Sequence, residues 1–124
     1  MICFQLFSNE PKMIALKQGE VLFAEGDPGH LMYVLTVGSA EVYVNGHVVD
    51  VLGPGNIVGE MGLVSPEPRS ATVRATTDAM FVAVDEKRFH YLVQNAPNFA
   101  IQVIRVLAER LRNINNQIPV IEDI

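Results

Sequence analysis

The chain has 124 residues, of which 49% are hydrophobic and 19% charged, values of one globular domain with a real core rather than a disordered segment. A formal net charge of −5 argues against a broad electrostatic attraction to nucleic acid or an anionic membrane, so an anionic ligand would need a local site. The single cysteine, Cys3, cannot form an internal disulfide, and no apolar run reaches the roughly 18 residues of a membrane span; with no signal-peptide pattern at the N-terminus, a cytoplasmic location is the default.

In chain order, ICFQLFSNEPK reads as an N-terminal arm or short helix within residues 1–14, ended by Pro11. From residue 15 to 84 glycines separate short runs rich in Val, Leu, Phe and Tyr, a spacing that favours an antiparallel sandwich or barrel. MYVLTVG is one strand. AEVYVNGHVVDVL is a hairpin, because Asn45-Gly46 suits the positive φ angles of a type I′ turn. ATVRATTDAMFVAVD is a further strand signal, with Ala71, Val73 and Ala75 on one face and Thr72, Arg74 and Thr76 on the other.

Asp85 can cap EKRFHYLVQN as a helix that stops before Pro97. A longer helix follows in PNFAIQVIRVLAERLRNINNQ. There Ala100, Ile104, Leu107, Leu111, Ile114 and Ile118 form a heptad-like seam, which Phe99, Val103 and Val106 widen. This stripe has two readings, packing on the strand domain or a seam between two copies of the helix, and its width allows both along different turns. Residues 85–118 thus form a helical part, and Pro119 opens the tail at 119–124.

The stretch GEMGLVSPEPRSATV, residues 59–73, carries the chemistry. Two prolines push Ser65 and Glu67 into extended conformation, so any helix is one short turn around Glu60 to Val64 with free N-terminal amides. Gly59 and Gly62 leave room for close backbone approach, and Arg69 adds a permanent charge and a planar fork of donors that matches two phosphate oxygens. Glu60 can only accept hydrogen bonds when ionised, so it suits a sugar hydroxyl beside that phosphate. If Arg69 begins a strand, its side chain points inside the sheet layers. A plainer alternative pairs Arg69 with Glu60 across the loop.

The stretch resembles the phosphate-binding cassette of cyclic nucleotide-binding domains, the family of bacterial catabolite activators, cyclic nucleotide-gated channels and regulatory subunits of cyclic nucleotide-dependent kinases. The resemblance extends through GEVLFAEGDPG and MYVLTVGSAEVYV and into both helices, over about residues 15–116. It implies a mainly β fold: an antiparallel, jelly-roll-like β-roll with a short cassette helix and two C-terminal α-helices. It implies that Glu60 accepts from the ribose 2′-hydroxyl and Arg69 pairs with the cyclic phosphate. The amides of Gly62 and Ser70 would assist, with Gly59, Met61, Ala71 and Thr72 completing the cassette. Val58 departs from the family's usual phenylalanine and loses aromatic packing there. The C-terminal helix would act as a lid, with Arg110, Arg112, Asn113, Asn115 and Asn116 as donors to the base and Asn115 the chosen contact. Ser70 after the arginine implies cAMP as the ligand, with cGMP the lesser candidate.

His30, His47 and His90 lie far apart in sequence and show no metal-ligand spacing; the paired histidines of a cupin are absent, and no nucleophile motif occurs. Neither a catalytic residue, a metal nor a cofactor is expected. The reading is a regulatory binding module rather than an enzyme, acting on an unidentified effector or through a homodimer of its C-terminal helix. The alternative is a degenerate fold of this kind used only for protein contacts.

Overall fold

The computed structural model describes residues 12–65 and 67–117, apart from the side chains of residues 64 and 113–117. The N-terminal arm, with Cys3, and the tail read from the sequence lie outside the described residues. Two four-stranded sheets form the roll. One has the order β1 (Met13–Leu16), β8 (Ala79–Val84), β3 (Met32–Val37), β6 (Ile57–Val58); the other has β2 (Val21–Phe23), β7 (Thr72–Ala75), β4 (Ala40–Val44), β5 (His47–Leu52). All pairings are antiparallel. A single helical turn, α1 (Met61–Val64), interrupts the strands; α2 (Glu86–Asn95) and α3 (Pro97–Gln117) follow them. This is the mainly β roll with cassette helix and two C-terminal helices that the resemblance implies.

The hairpin forms where Asn45-Gly46 places it, with φ of 52° and 80° at the two turn residues, the backbone twist that joins right-twisted strands. ATVRATTDAMFVAVD, in contrast, splits. Its first half becomes β7 in one sheet and its second half β8 in the other, so the chain changes layers at Thr76–Asp78. The crossing is clasped to the β3–β4 connection: Thr76 N donates to Ser39 O at 3.0 Å, and Ser39 N to Thr77 Oγ1 at 3.0 Å. Within β7, Val73 and Ala75 face inward and Arg74 outward, as the alternation requires. Met13 and Ile14, read as part of the arm, belong to β1 and pair with Val82 and Phe81.

β3 is buried at four successive positions, Met32 to Leu35, because both of its faces are covered. Met32 and Val34, with Val82 and Val84 of β8, pack against Leu92, Phe99 and Val103 of the helices. Tyr33 and Leu35, with Phe81 and Ala83, fill the roll against Leu52 and Val73 of the opposite sheet. Each large apolar side chain removed from water in these two layers contributes about 1.5–3 kcal/mol. Asp85 caps α2 by accepting from Arg88 N at 2.7 Å, and Ala96 ends the helix ahead of Pro97. On α3 the residues read as widening the seam, Phe99, Val103 and Val106, are those that face the roll. Ile104 and Leu111, read as the seam itself, are 64% and 59% exposed.

Candidate functional site

A cavity of about 710 Å³ opens between the second sheet, the loop from Gly59 to Ala71, and α3. Gly59, Glu60, Met61, Gly62, Arg69, Ser70 and Ala71 line it, together with Val42, Val44, Val49 and Asp50 from the hairpin and Leu107, Arg110 and Leu111 from α3. Of the residues singled out from the sequence, Thr72 is not among the lining. It starts β7, and its hydroxyl accepts from Glu25 N at 3.0 Å. Asn113, Asn115 and Asn116 are on α3, but their side chains lie outside the described residues, and Arg112 is exposed.

The loop is built by its glycines and prolines. Gly59 has φ +75°, and a Cβ there would stand 2.7 Å from Arg69 Nη1 and 2.9 Å from Leu31 O, so both backbone conformation and space require glycine. Glu60 occupies the N-cap position of α1 without a capping bond from its side chain, and the turn spans Met61–Val64. Ser65 is extended at φ −144°, as a residue before proline must be. The sequence expectation of free amides at this turn needs correction. Gly62 N donates to Gly59 O at 3.0 Å and Leu63 N to Glu60 O at 3.2 Å, because even one helical turn closes its own short-range bonds.

Arg69 does not begin a strand. It lies three residues before β7, where its backbone exchanges two 2.8 Å bonds with the preceding turn, Gly26 N to Arg69 O and Arg69 N to Asp27 O. That pairing still aims the side chain inward, and only 8% of the residue is exposed. The guanidinium stacks on Phe23, 4.3 Å from the ring centroid, a cation–π contact of about 0.5–2 kcal/mol. On another side it abuts Gly29, where a Cβ would lie 2.1 Å from Nε. Nη2 donates to Leu31 O at 2.8 Å and Nη1 to Gly59 O at 3.3 Å, while Nε is buried with no hydrogen-bond partner. Among the described residues no carboxylate is within ion-pair distance of Arg69.

Glu60, 7% exposed, does not pair with Arg69. Its carboxylate is joined by Arg110 Nη1, and Arg110 Nη2 also donates to Ile57 O, so α3 is tied to the roll at the carboxylate itself. Burial draws the Arg110 pKa below its ordinary value, an effect that the nearby Asp50 carboxylate opposes. The cavity therefore presents a buried cation without a counter-ion among the described residues, a buried carboxylate, and an apolar wall on each side. An anion would satisfy the first, and a hydroxyl or a cation the second.

Phe23, Gly29 and Asp50 were not found by sequence reasoning. The first two sit in the AEGDPG segment and its approach, far from Arg69 in sequence, and carried no chemical signal. Asp50 did carry one, as the only charge in the apolar run HVVDVL. The three histidines remain ungrouped: among the described residues no cluster of three or more His, Cys, Asp or Glu could hold a metal ion. Nor is any helix among these residues long and apolar enough to cross a membrane.

Comparison with known proteins agrees with this geometry. The family model described as "Cyclic nucleotide-binding domain" matches residues 13–96. A CRP-like cAMP-activated global transcriptional regulator of Mycobacterium tuberculosis is 28% identical over 106 residues, which are 82% of this chain and 47% of that protein. A cyclic nucleotide-gated potassium channel of Rhizobium etli is 35% identical over 92 residues, 74% of this chain and 26% of the channel. Among solved structures, the catabolite activator protein of Thermus thermophilus superposes with a TM-score of 0.77 at 27% identity, over 88% of this chain and 54% of that one. The chain spans about half or less of the length of these curated relatives. With the roll, the cassette and the family match in agreement, the chain belongs to the cyclic nucleotide-binding domain family.

Proposed function

We propose that this chain is a regulatory module that binds a cyclic nucleotide, cAMP in preference to cGMP, and transmits binding through α3. The observation that carries the reading is Arg69: a guanidinium nine-tenths buried, with an unpaired Nε and no counter-ion among the described residues. Burying such a charge is costly unless it is paired, and a cyclic phosphate diester supplies one negative charge with oxygens to accept. Glu60, on the same cavity wall, would accept the ribose hydroxyl. Ser70, in the position that accompanies cAMP in similar bacterial proteins, supports adenine over guanine, as do the cAMP-activated relatives by name.

Transmission follows from what Glu60 already holds. A ligand hydroxyl at Glu60 competes with Arg110 for the same carboxylate, so binding alters the tie between α3 and the roll, and a state-dependent affinity is what lets a ligand shift a conformation. The exposed Ile101 and Ile104, which do not line the cavity, offer the surface that a second copy of the helix would cover, and the effector acts beyond this module. The same Arg110–Glu60 contact favours one other reading, a module whose site is closed by its own side chains and which serves protein contacts alone.

Calorimetric titration with cAMP and cGMP separates the two. Binding by the wild type, with a loss of about 2–5 kcal/mol and thus at least tenfold in Arg69→Ala, supports the nucleotide module. No heat and no thermal shift at millimolar nucleotide refutes it. Hydrogen exchange over residues 98–116 is expected to change on binding; unchanged protection there would refute transmission through α3.

A further inference from the structure

The wall of the cavity opposite α3 contains a carboxylate that the sugar–phosphate reading does not use. β5 carries a bulge: Val42 pairs with Asp50 and Tyr43 with Val48, leaving Val49 as the extra residue. A bulge turns two successive side chains toward one face, and both Val49 and Asp50 line the cavity. Asp50 Oδ1 accepts from Val51 N at 2.8 Å, which orients the group. Among the described residues the other oxygen has no hydrogen-bond partner.

If Arg69 and Glu60 hold phosphate and ribose, the base lies farther along, between Val42, Val44 and Val49 of the hairpin and Leu107 and Leu111 of α3. Two apolar walls suit a flat aromatic ring. Asp50 is the polar side chain that the hairpin itself places beside these valines, so it is positioned to meet the edge of that ring. An ionised carboxylate accepts and never donates, and it therefore distinguishes base edges by whether they carry N–H groups.

We infer that Asp50 is the base-reading residue of this site, accepting a hydrogen bond from the exocyclic amino group of a purine. The inference rests on the cyclic-nucleotide reading above and adds to it a selectivity element on β5, separate from Ser70. The shared chemistry is a purine amine, carried at position 6 by adenine and at position 2 by guanine.

The test measures affinities of the full chain for two ligand pairs: cAMP against the cyclic purine riboside monophosphate lacking the 6-amino group, and cGMP against cIMP, which lacks the 2-amino group. In the wild type one pair is expected to differ by about tenfold, the usual effect of one hydrogen bond to a charged group, and the pair that differs names the base. In Asp50→Ala that ratio falls toward one. Asp50→Asn, which keeps the size of the side chain and a neutral acceptor oxygen, should reduce it part of the way, because only the charge on the acceptor is lost, so the result does not hang on the folding of one variant. An unchanged ratio in both variants overturns the inference. So does an equal loss for all four nucleotides, which would mean that Asp50 acts only by holding Arg110 in place. A wild type that binds none of the four refutes the nucleotide reading as well, whereas binding with a ratio independent of Asp50 refutes this inference alone.

Discussion

Gly29→Ala offers a sharp test of how the site is built, because it touches Arg69 without changing any charged group. A Cβ at Gly29 would lie 2.1 Å from Arg69 Nε, 2.4 Å from Cζ and 2.5 Å from Nη2. Ordinary contact begins near 3.4 Å, so the guanidinium or the backbone of residue 29 must retreat by about 1.3 Å. A movement of that size takes Nη2 out of reach of Leu31 O, now at 2.8 Å, and disturbs the stacking on Phe23. Losing a hydrogen bond from a charged donor costs about 1.5–3 kcal/mol, partly offset by about 0.4–1 kcal/mol from the smaller unfolded-state entropy of alanine. The net expectation is about 1–2 kcal/mol of lost stability in urea or thermal unfolding, and at least tenfold weaker cAMP binding by calorimetry, since the fork no longer faces the phosphate. Gly53→Ala is the control: nothing lies within 4 Å of a Cβ there, and its φ is not positive, so it should stay within about 0.5 kcal/mol of wild type. A Gly29→Ala protein with wild-type stability and affinity would refute the placement of Arg69 between Phe23 and Gly29.

Two further outcomes follow from local geometry. Gly46→Ala has open space around its Cβ but a φ of +80°, so its cost, about 1–2 kcal/mol in equilibrium unfolding, is backbone strain alone; a neutral result would mean that the hairpin turn is not type I′. Asp85→Ala removes the cap of α2 and should cost about 1 kcal/mol. The Asp85 pKa is held below its ordinary 3.8 mainly by the hydrogen bond from the Arg88 amide and secondarily by Lys12. The folded state thus binds this proton more weakly than the unfolded chain, so the stabilisation is present above about pH 4 and disappears as the pH falls through the depressed value. Wild type and Asp85→Ala should therefore converge in stability under acid, and parallel pH profiles would show that the cap does not titrate.

Features governed by a few adjacent residues were legible in the sequence. Asn45-Gly46 sets a turn through its own φ angles, Asp85 caps a helix three residues ahead, and Pro97 separates two helices, each by backbone constraints that act locally. The cassette was legible as chemistry for the same reason, since Gly59, Glu60, Arg69 and Ser70 lie within twelve positions of one another. Other features depend on which surfaces meet. ATVRATTDAMFVAVD reads as a run of alternating and apolar residues, and only the clasp between Ser39 and Thr76–Thr77 divides it between two sheets. The apolar stripe of α3 is wider than one contact needs, so periodicity could not say that Phe99 and Val103 would face the roll while Ile104 and Leu111 stayed exposed. Composition and local pattern therefore determined the class of fold and singled out the loop residues, Gly59 to Ala71, that line the cavity. The tertiary structure decided the partners of the charges, stacking Arg69 on Phe23 against Gly29 and giving Glu60 to Arg110 fifty residues away, because partnership between buried charges is settled by which distant segments share a cavity from which water is excluded.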